Sequence, residues 1–148
     1  MKGWLLDTHV ISELRKPNCH PAVKKWSDCQ PPQSFYLSAI TLAEIRFGIE
    51  QASDPVFRQE LIEWLNQALR PWFSDRILAV DEEVILAWRK MIEQRRKQGY
   101  TFSQPDPFIT ATAKVHNLCV VTRNIKDFEQ SGTLVLNPWE LQTEALGG

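Results

Sequence analysis

The sequence predicts an α/β fold: a three-layer α/β/α sandwich around a central, mostly parallel sheet of four or five strands. Short apolar runs rich in β-branched or aromatic residues alternate with longer stretches of helical periodicity. The strand-like runs are separated by helical segments rather than by tight hairpin turns, which implies parallel strands, right-handed crossovers and helices on both faces. A chain of 148 residues holds one such domain with its own core and is short for two. The expected domain spans 1–142, with a tail at 143–148 that frays.

Each element has a local reason. Trp4 to Leu6 form an apolar run that ends at Asp7-Thr8, and Val10, Ile11 and Leu14 follow at helical spacing, so a buried strand runs into a helix. Pro17-Asn18 breaks that helix, Ala22 to Ser27 form a short second one, and Gln30 to Gln33 are a loop. Phe35 to Leu37 make the second strand. Ser38 or Thr41 caps the next helix, which carries Ile40, Ala43, Ile45, Phe47 and Ile49 and has Glu44 in its first turn or so. Val56 to Leu69 read as one amphipathic helix, with Leu61, Trp64, Leu65, Ala68 and Leu69 on its stripe and Pro71 as its stop.

Ile77 to Val80 read as the third strand. Asp81-Glu82-Glu83 open a long helix to about Lys97, acid at the front and base at the back as the helix dipole favours, with Gly99 to end it. Pro105 suits a first helical turn, so a helix begins there with Asp106 at or beside its N-cap. Leu118 to Thr122 give the fourth strand and Leu134 to Leu136 a short fifth at the edge.

A net charge of −1 argues against a protein that coats nucleic acid through bulk electrostatics, so any such contact is local. Cys19, Cys29 and Cys119 show no CxxC pair and no disulfide framework, which fits a reducing cytoplasm. The apolar run at the amino terminus stops at Asp7, too short for a signal-peptide core, and no stretch reaches transmembrane length. No P-loop, GxGxxG or GxSxG is present.

Ligands of open α/β sheets sit beyond the carboxyl ends of the strands. Four acids map there: Asp7 after strand one, Glu44 after strand two, Asp106 at the late helix start, and Asp127 five residues past strand four. Singly, each has a plain structural reading: Asp7 and Asp106 as helix caps, Glu44 as helix surface, Asp127 as a loop acid. Together their repulsion calls for a cation, and carboxylate oxygens without cysteine suit Mg²⁺ or Mn²⁺. His9, His20 and His116 lack zinc-ligand spacing, and only His9 lies near the acids.

The blocks LLDTHVISEL, SAITLAEIRFGI and PDPFITATAKVHNLCVVTRNIKDFE resemble the PIN-domain family, in particular the VapC toxins of bacterial toxin–antitoxin pairs and their FitB-like relatives. The likeness runs from Trp4 to about Trp139. It implies an α/β/α domain with Mg²⁺- or Mn²⁺-dependent endoribonuclease activity, held in check by a VapB-like antitoxin, and a homodimer. By position, Asp7, Glu44 and Asp106 match the family's acids. The fourth place falls in TRNxxDF, where Asn124 and Asp127 both stand and only Asp127 is ionisable. Thr8, Thr122 and Asn124 are implied as hydrogen-bonding support, and His9 replaces the asparagine common in the opening block.

The implied reaction is hydrolysis of an RNA phosphodiester. Candidate contacts to RNA or antitoxin are Arg15, Arg46, Arg123 and the Arg95-Arg96-Lys97 cluster, and the stripe of Ile62, Trp64, Leu65 and Leu69 reads either as a dimer contact or as core. Two other readings use the same residues: a PIN-like interaction module that cuts nothing, and a metal-dependent DNA nuclease or phosphatase.

Overall fold

The computed structural model describes residues 1–99, 106–129 and 131–141, and within them the side chains of all but 106, 127 and 129. Pro105 and the tail at 143–148 fall outside the described residues. Five parallel strands form one sheet in the order β3-β2-β1-β4-β5, where β1 is Gly3–Leu6, β2 Phe35–Ser38, β3 Ile77–Leu78, β4 Leu118–Val121 and β5 Val135–Leu136. The first strand made is thus the middle one. It pairs with β2 through Trp4↔Phe35 and with β4 from Gly3↔Leu118 to Leu6↔Val121.

Strand alternation splits the core into two layers. Leu6 and Val121 point into a cluster with Val10, Ile11, Trp26, Phe35 and Phe73, whereas Leu5 and Val120 point the other way, against Ile109, Ala113 and Phe128. Helices therefore cover both faces, as expected for an all-parallel sheet. Gly3 opens β1 because its backbone passes close to β2: a Cβ there would stand 2.5 Å from the Ser34 carbonyl oxygen. Any side chain would push the two strands apart.

The helices follow the predicted order. They are α1 (Thr8–Arg15), α2 (Pro21–Asp28), α3 (Ala39–Glu50), α4 (Pro55–Trp64), α5 (Arg70–Phe73), α6 (Glu82–Lys97), α7 (Asp106–His116) and α8 (Lys126–Glu129). Asp7, Ser38, Asp54 and Asp81 cap α1, α3, α4 and α6 with their side chains. No helix among the described residues is long and apolar enough to cross a membrane.

Four local expectations need correcting. Pro71 does not stop the helix after Leu69: a π turn over Leu65–Leu69 joins α4 to α5, with the Arg70 N–H donating to the Leu65 carbonyl. A proline lacks its N–H and crowds the carbonyl four residues back, and the wider turn makes room for it. The extra residue rotates Ala68 out to solvent while Leu69 stays buried. The third strand is two residues long, not four. Ala43 is exposed, and Glu44 lies in the second turn of α3 rather than the first. Finally, Asp127 sits in a short helix, α8, which Phe128 pins by burying its ring in the core.

Candidate active site

The strand order reverses between β1 and β4, since the chain builds β2 and β3 outward on one side and then crosses to the other. In open α/β sheets the favoured ligand position lies beyond the carboxyl ends of the strands at such a reversal, where the connecting loops part. Asp7 and Thr122 are the first residues past β1 and β4.

Backbone and side chain fix Asp7 from three directions. Its N–H donates to the Val121 carbonyl at 3.1 Å, extending the ladder by one residue. Oδ1 accepts the Val10 N–H at 3.1 Å, which caps α1, and Oδ2 accepts the Thr122 hydroxyl. Thr122 is fully buried, and its Oγ1 in turn accepts the Asn124 N–H at 3.0 Å. Asn124 thus supports the site through its backbone, with an exposed side chain.

Burial pushes the Asp7 carboxyl above the ordinary aspartate range, more than the Thr122 and Val10 hydrogen bonds and the nearby His9 imidazole pull it down. A carboxylate offers about four lone-pair sites; the Val10 N–H and the Thr122 hydroxyl take one each, and the His9 N–H also acts on the group. The remaining sites, on a group whose charge is costly in isolation, fit a hard divalent cation.

Glu44 comes from the other side. It is exposed on α3, and the Thr8 hydroxyl donates to its Oε2 at 3.3 Å. Thr8 is the first residue of α1, so adjacent residues hold the two acids within one network. Asp106 opens α7, which packs on β4 and is joined to it through Asn117 alone, in the left-handed conformation at φ 57°. Because α7 turns back on β4 after so short a link, its start at Asp106 lies towards the carboxyl end of that strand. The side chains of Asp106 and Asp127 lie outside the described ones. Among the described residues, no three His, Cys, Asp or Glu side chains gather into a metal-holding group; Asp7 and Glu44 are the described half of the four-acid set.

The cations separate. Arg123 follows Thr122 directly, with its guanidinium 5.1 Å from the Trp139 ring. Arg15 lies 5.9 Å from the rings of Phe57 and Trp64, in a groove of about 290 Å³ that also reaches Thr8, Glu44 and Gly48. Arg95 and Arg96 sit elsewhere. Trp88 stacks on Phe108, so α6 and α7 run side by side, and burial followed by the Arg95 guanidinium holds the Lys114 ammonium below its usual range. Lys114 is in the last turn of α7, the end opposite Asp106, which puts the α6 cluster at the far end of the domain. Arg46 is two residues, or roughly 200°, around α3 from Glu44. It lines a second groove with Arg58 and Arg70, two arginines that no sequence pattern singled out because only the α3–α4 hairpin brings them together. The stripe of Ile62, Trp64, Leu65 and Leu69 packs into the core, with Leu65 and Leu69 fully covered.

Residues 4–132 match the PIN domain. The chain is 41% identical over 140 residues to the "Plasmid stability protein StbB" of Pseudomonas syringae pv. tomato, covering 92% of this chain and 98% of that one. It is 38% identical to "Toxin FitB" of Neisseria gonorrhoeae (91% and 97% covered) and 37% identical to "VapC ribonuclease Y4jK" of Sinorhizobium fredii (92% and 97%). The crystal structure of FitAcB from Neisseria gonorrhoeae superposes with a TM-score of 0.88 at 38% identity, covering 93% of this chain and 99% of that one. With the PIN model matched over residues 4–132 and relatives at 37–41% identity along nearly the whole chain, this protein belongs to the PIN-domain family.

Proposed function

We propose that the chain is a metal-dependent endoribonuclease, the toxin of a toxin–antitoxin pair, hydrolysing RNA phosphodiester bonds at the crevice between β1 and β4. The observation that carries this is the Asp7 carboxylate, held by Thr122 and the Val10 N–H at the switch point with lone pairs to spare, in a chain whose relatives bear the names ribonuclease and toxin. Asp7, Glu44, Asp106 and Asp127 would hold Mg²⁺ or Mn²⁺. Such an ion supplies an acidified water and neutralises charge on the phosphoryl oxygens.

The chain's own residues do the rest. Thr122 orients Asp7, Thr8 orients Glu44, and the Asn124 N–H fixes the Thr122 hydroxyl. Arg123, beside the crevice, is placed to meet a substrate phosphate.

The groove along α1, α3 and α4 suits the antitoxin. Its walls are apolar and aromatic, with Leu61, Phe57 and Trp64 on α4, and it ends at Glu44. Gly48 sits in its wall, where a Cβ would meet nothing within 4 Å, so the helix carries a destabilising glycine without internal need. A peptide lying across Gly48 would block the site from the side. A homodimer would use a face other than the buried Leu65–Leu69 stripe, and α6, which exposes Ile85 and Leu86, offers one.

The test is cleavage by purified protein freed of any partner, on RNA, DNA and small phosphoesters. RNA cleavage that needs Mg²⁺ or Mn²⁺ and stops with chelator is expected; cleavage of DNA alone, or of nothing, overturns the reading.

A further inference from the structure

We propose that the groove on the other side of the α3–α4 hairpin, lined by Arg46, Arg58 and Arg70, binds the phosphate backbone of the RNA strand as it leaves the acid site. The inference rests on the ribonuclease reading above and adds where the substrate is held.

The groove encloses about 360 Å³ and draws on three elements: Arg46 and Glu50 from α3, Arg58 from α4, and Asn66 and Arg70 from the π turn and its end. Three guanidiniums face one carboxylate, in a chain whose overall charge is −1. Among the described residues, none of the three has a carboxylate within 4.0 Å. The α6 cluster differs. There Glu93 takes Arg96 at 2.6 Å and Arg89 at 3.7 Å, so much of its charge is already answered. Unanswered positive charge in a concavity is where a polyanion gains most.

Shape supports a strand rather than a single ion. The arginines come from α3, α4 and the end of the π turn, so the positive charge is spread around the groove rather than held at one point, and Ile49, Ile62 and Leu65 add apolar lining for ribose. Arg58 is fixed for the purpose: its Nε donates to the Ala52 carbonyl at 3.0 Å and its Nη2 at 2.5 Å, which leaves Nη1 for a ligand. The π turn contributes too. By adding a residue before Arg70 it turns that side chain to the groove, and Pro71 maintains the turn. Arg46 is displaced from Glu44 by about 3 Å along α3 and roughly 200° around it, so a strand that passes over the exposed face of that helix leaves the acids on one side and meets the arginines on the other.

The experiment uses the full chain with Asp7→Asn to prevent cleavage, and reads binding of a short unstructured fluorescein-labelled RNA by anisotropy across a salt series. Arg46→Gln with Arg70→Gln should flatten the slope of log K against log salt by about 1.4, and weaken binding roughly 25-fold at about 0.1 M salt relative to the loss at about 1 M. Arg58 is left alone because it anchors Ala52, and Lys97→Gln serves as a control that leaves the slope unchanged. A fold defect lowers the amount of active protein but not this slope.

An unchanged slope overturns the proposal, as does a parent that binds no RNA, or a double variant that loses only its affinity for an acidic peptide partner. Cleavage by the wild-type chain is assayed in parallel. If RNA is cut and the slope is unmoved, the groove assignment fails while the ribonuclease stands; if the slope falls and no RNA is cut, the reverse holds.

Discussion

On the sheet wall of the crevice, Asp7 is fixed by the Val121 carbonyl, the Val10 N–H and the buried Thr122 hydroxyl; on the helix wall, Glu44 stands in solvent with the Thr8 hydroxyl at 3.3 Å. The first arrangement is inherited from the strand ladder and cannot move without disturbing the core. The second belongs to an exposed side chain on a helix surface, outside the strand ladder. On the proposed reading, a site with one fixed and one adjustable acid would keep a cation while the substrate geometry changes, and losses on the two walls should differ in kind as well as in size.

The largest effect is expected from Asp7→Asn. Removing a charged ligand forfeits several kcal/mol of transition-state stabilisation, about a 10³-fold loss of RNA cleavage that added Mn²⁺ does not restore. The same change should raise the melting temperature in chelator at neutral pH. Burial lifts the folded-state pKa of Asp7 above its ordinary value of 3.8, so the folded state binds more protons than the unfolded one over that window and stability falls as pH rises through it. The gain of the neutral variant should therefore vanish in thermal melts below that window.

Glu44→Gln comes next, with roughly 10² lost in cleavage at limiting Mn²⁺ and unfolding free energy within about 0.5 kcal/mol of wild type. Raised Mn²⁺ should restore most of this activity, and failure to do so would erase the distinction between the walls.

Thr122→Val keeps the shape but leaves Asp7 Oδ2 and the Asn124 N–H without their partner. Cleavage should fall roughly 10-fold or somewhat more, and denaturant unfolding should show a loss of about 1–3 kcal/mol. Thr122→Ser should recover both. The smallest effect belongs to Thr8→Val, about five-fold in Mn²⁺ affinity from one hydrogen bond, with little change in stability.

The two walls were also unequally legible in the sequence. Asp7 was readable because an apolar strand ending in a capping residue puts it at a rim whatever the details, and the strand–helix alternation alone predicted the parallel sheet. Its bond to Thr122 was not readable from spacing, because strand order is a long-range property. The Arg95 to Lys97 cluster looked like a substrate contact in sequence. A helix about 24 Å long carries its last turn far from its first, and only the packing of α6 beside α7 shows which end faces the acids. Pro71 was misread for a different reason: the rule that proline ends helices assumes regular α geometry, and a π turn sidesteps it. Arg58 and Arg70 carried no signal, since their meaning comes from a hairpin.

Asp7 and Thr122 are 115 residues apart in a chain of 148, and the central strand of the sheet is the first to be synthesised. During synthesis β1 emerges 115 residues ahead of β4, as the Gly3↔Leu118 pairing shows, and its second edge stays unpaired until then. An unfinished chain has no assembled crevice. For a protein whose activity would be directed at RNA, this ordering delays assembly of the site until β4 has been made, so a chain cut short before Thr122 lacks the partner that holds Asp7.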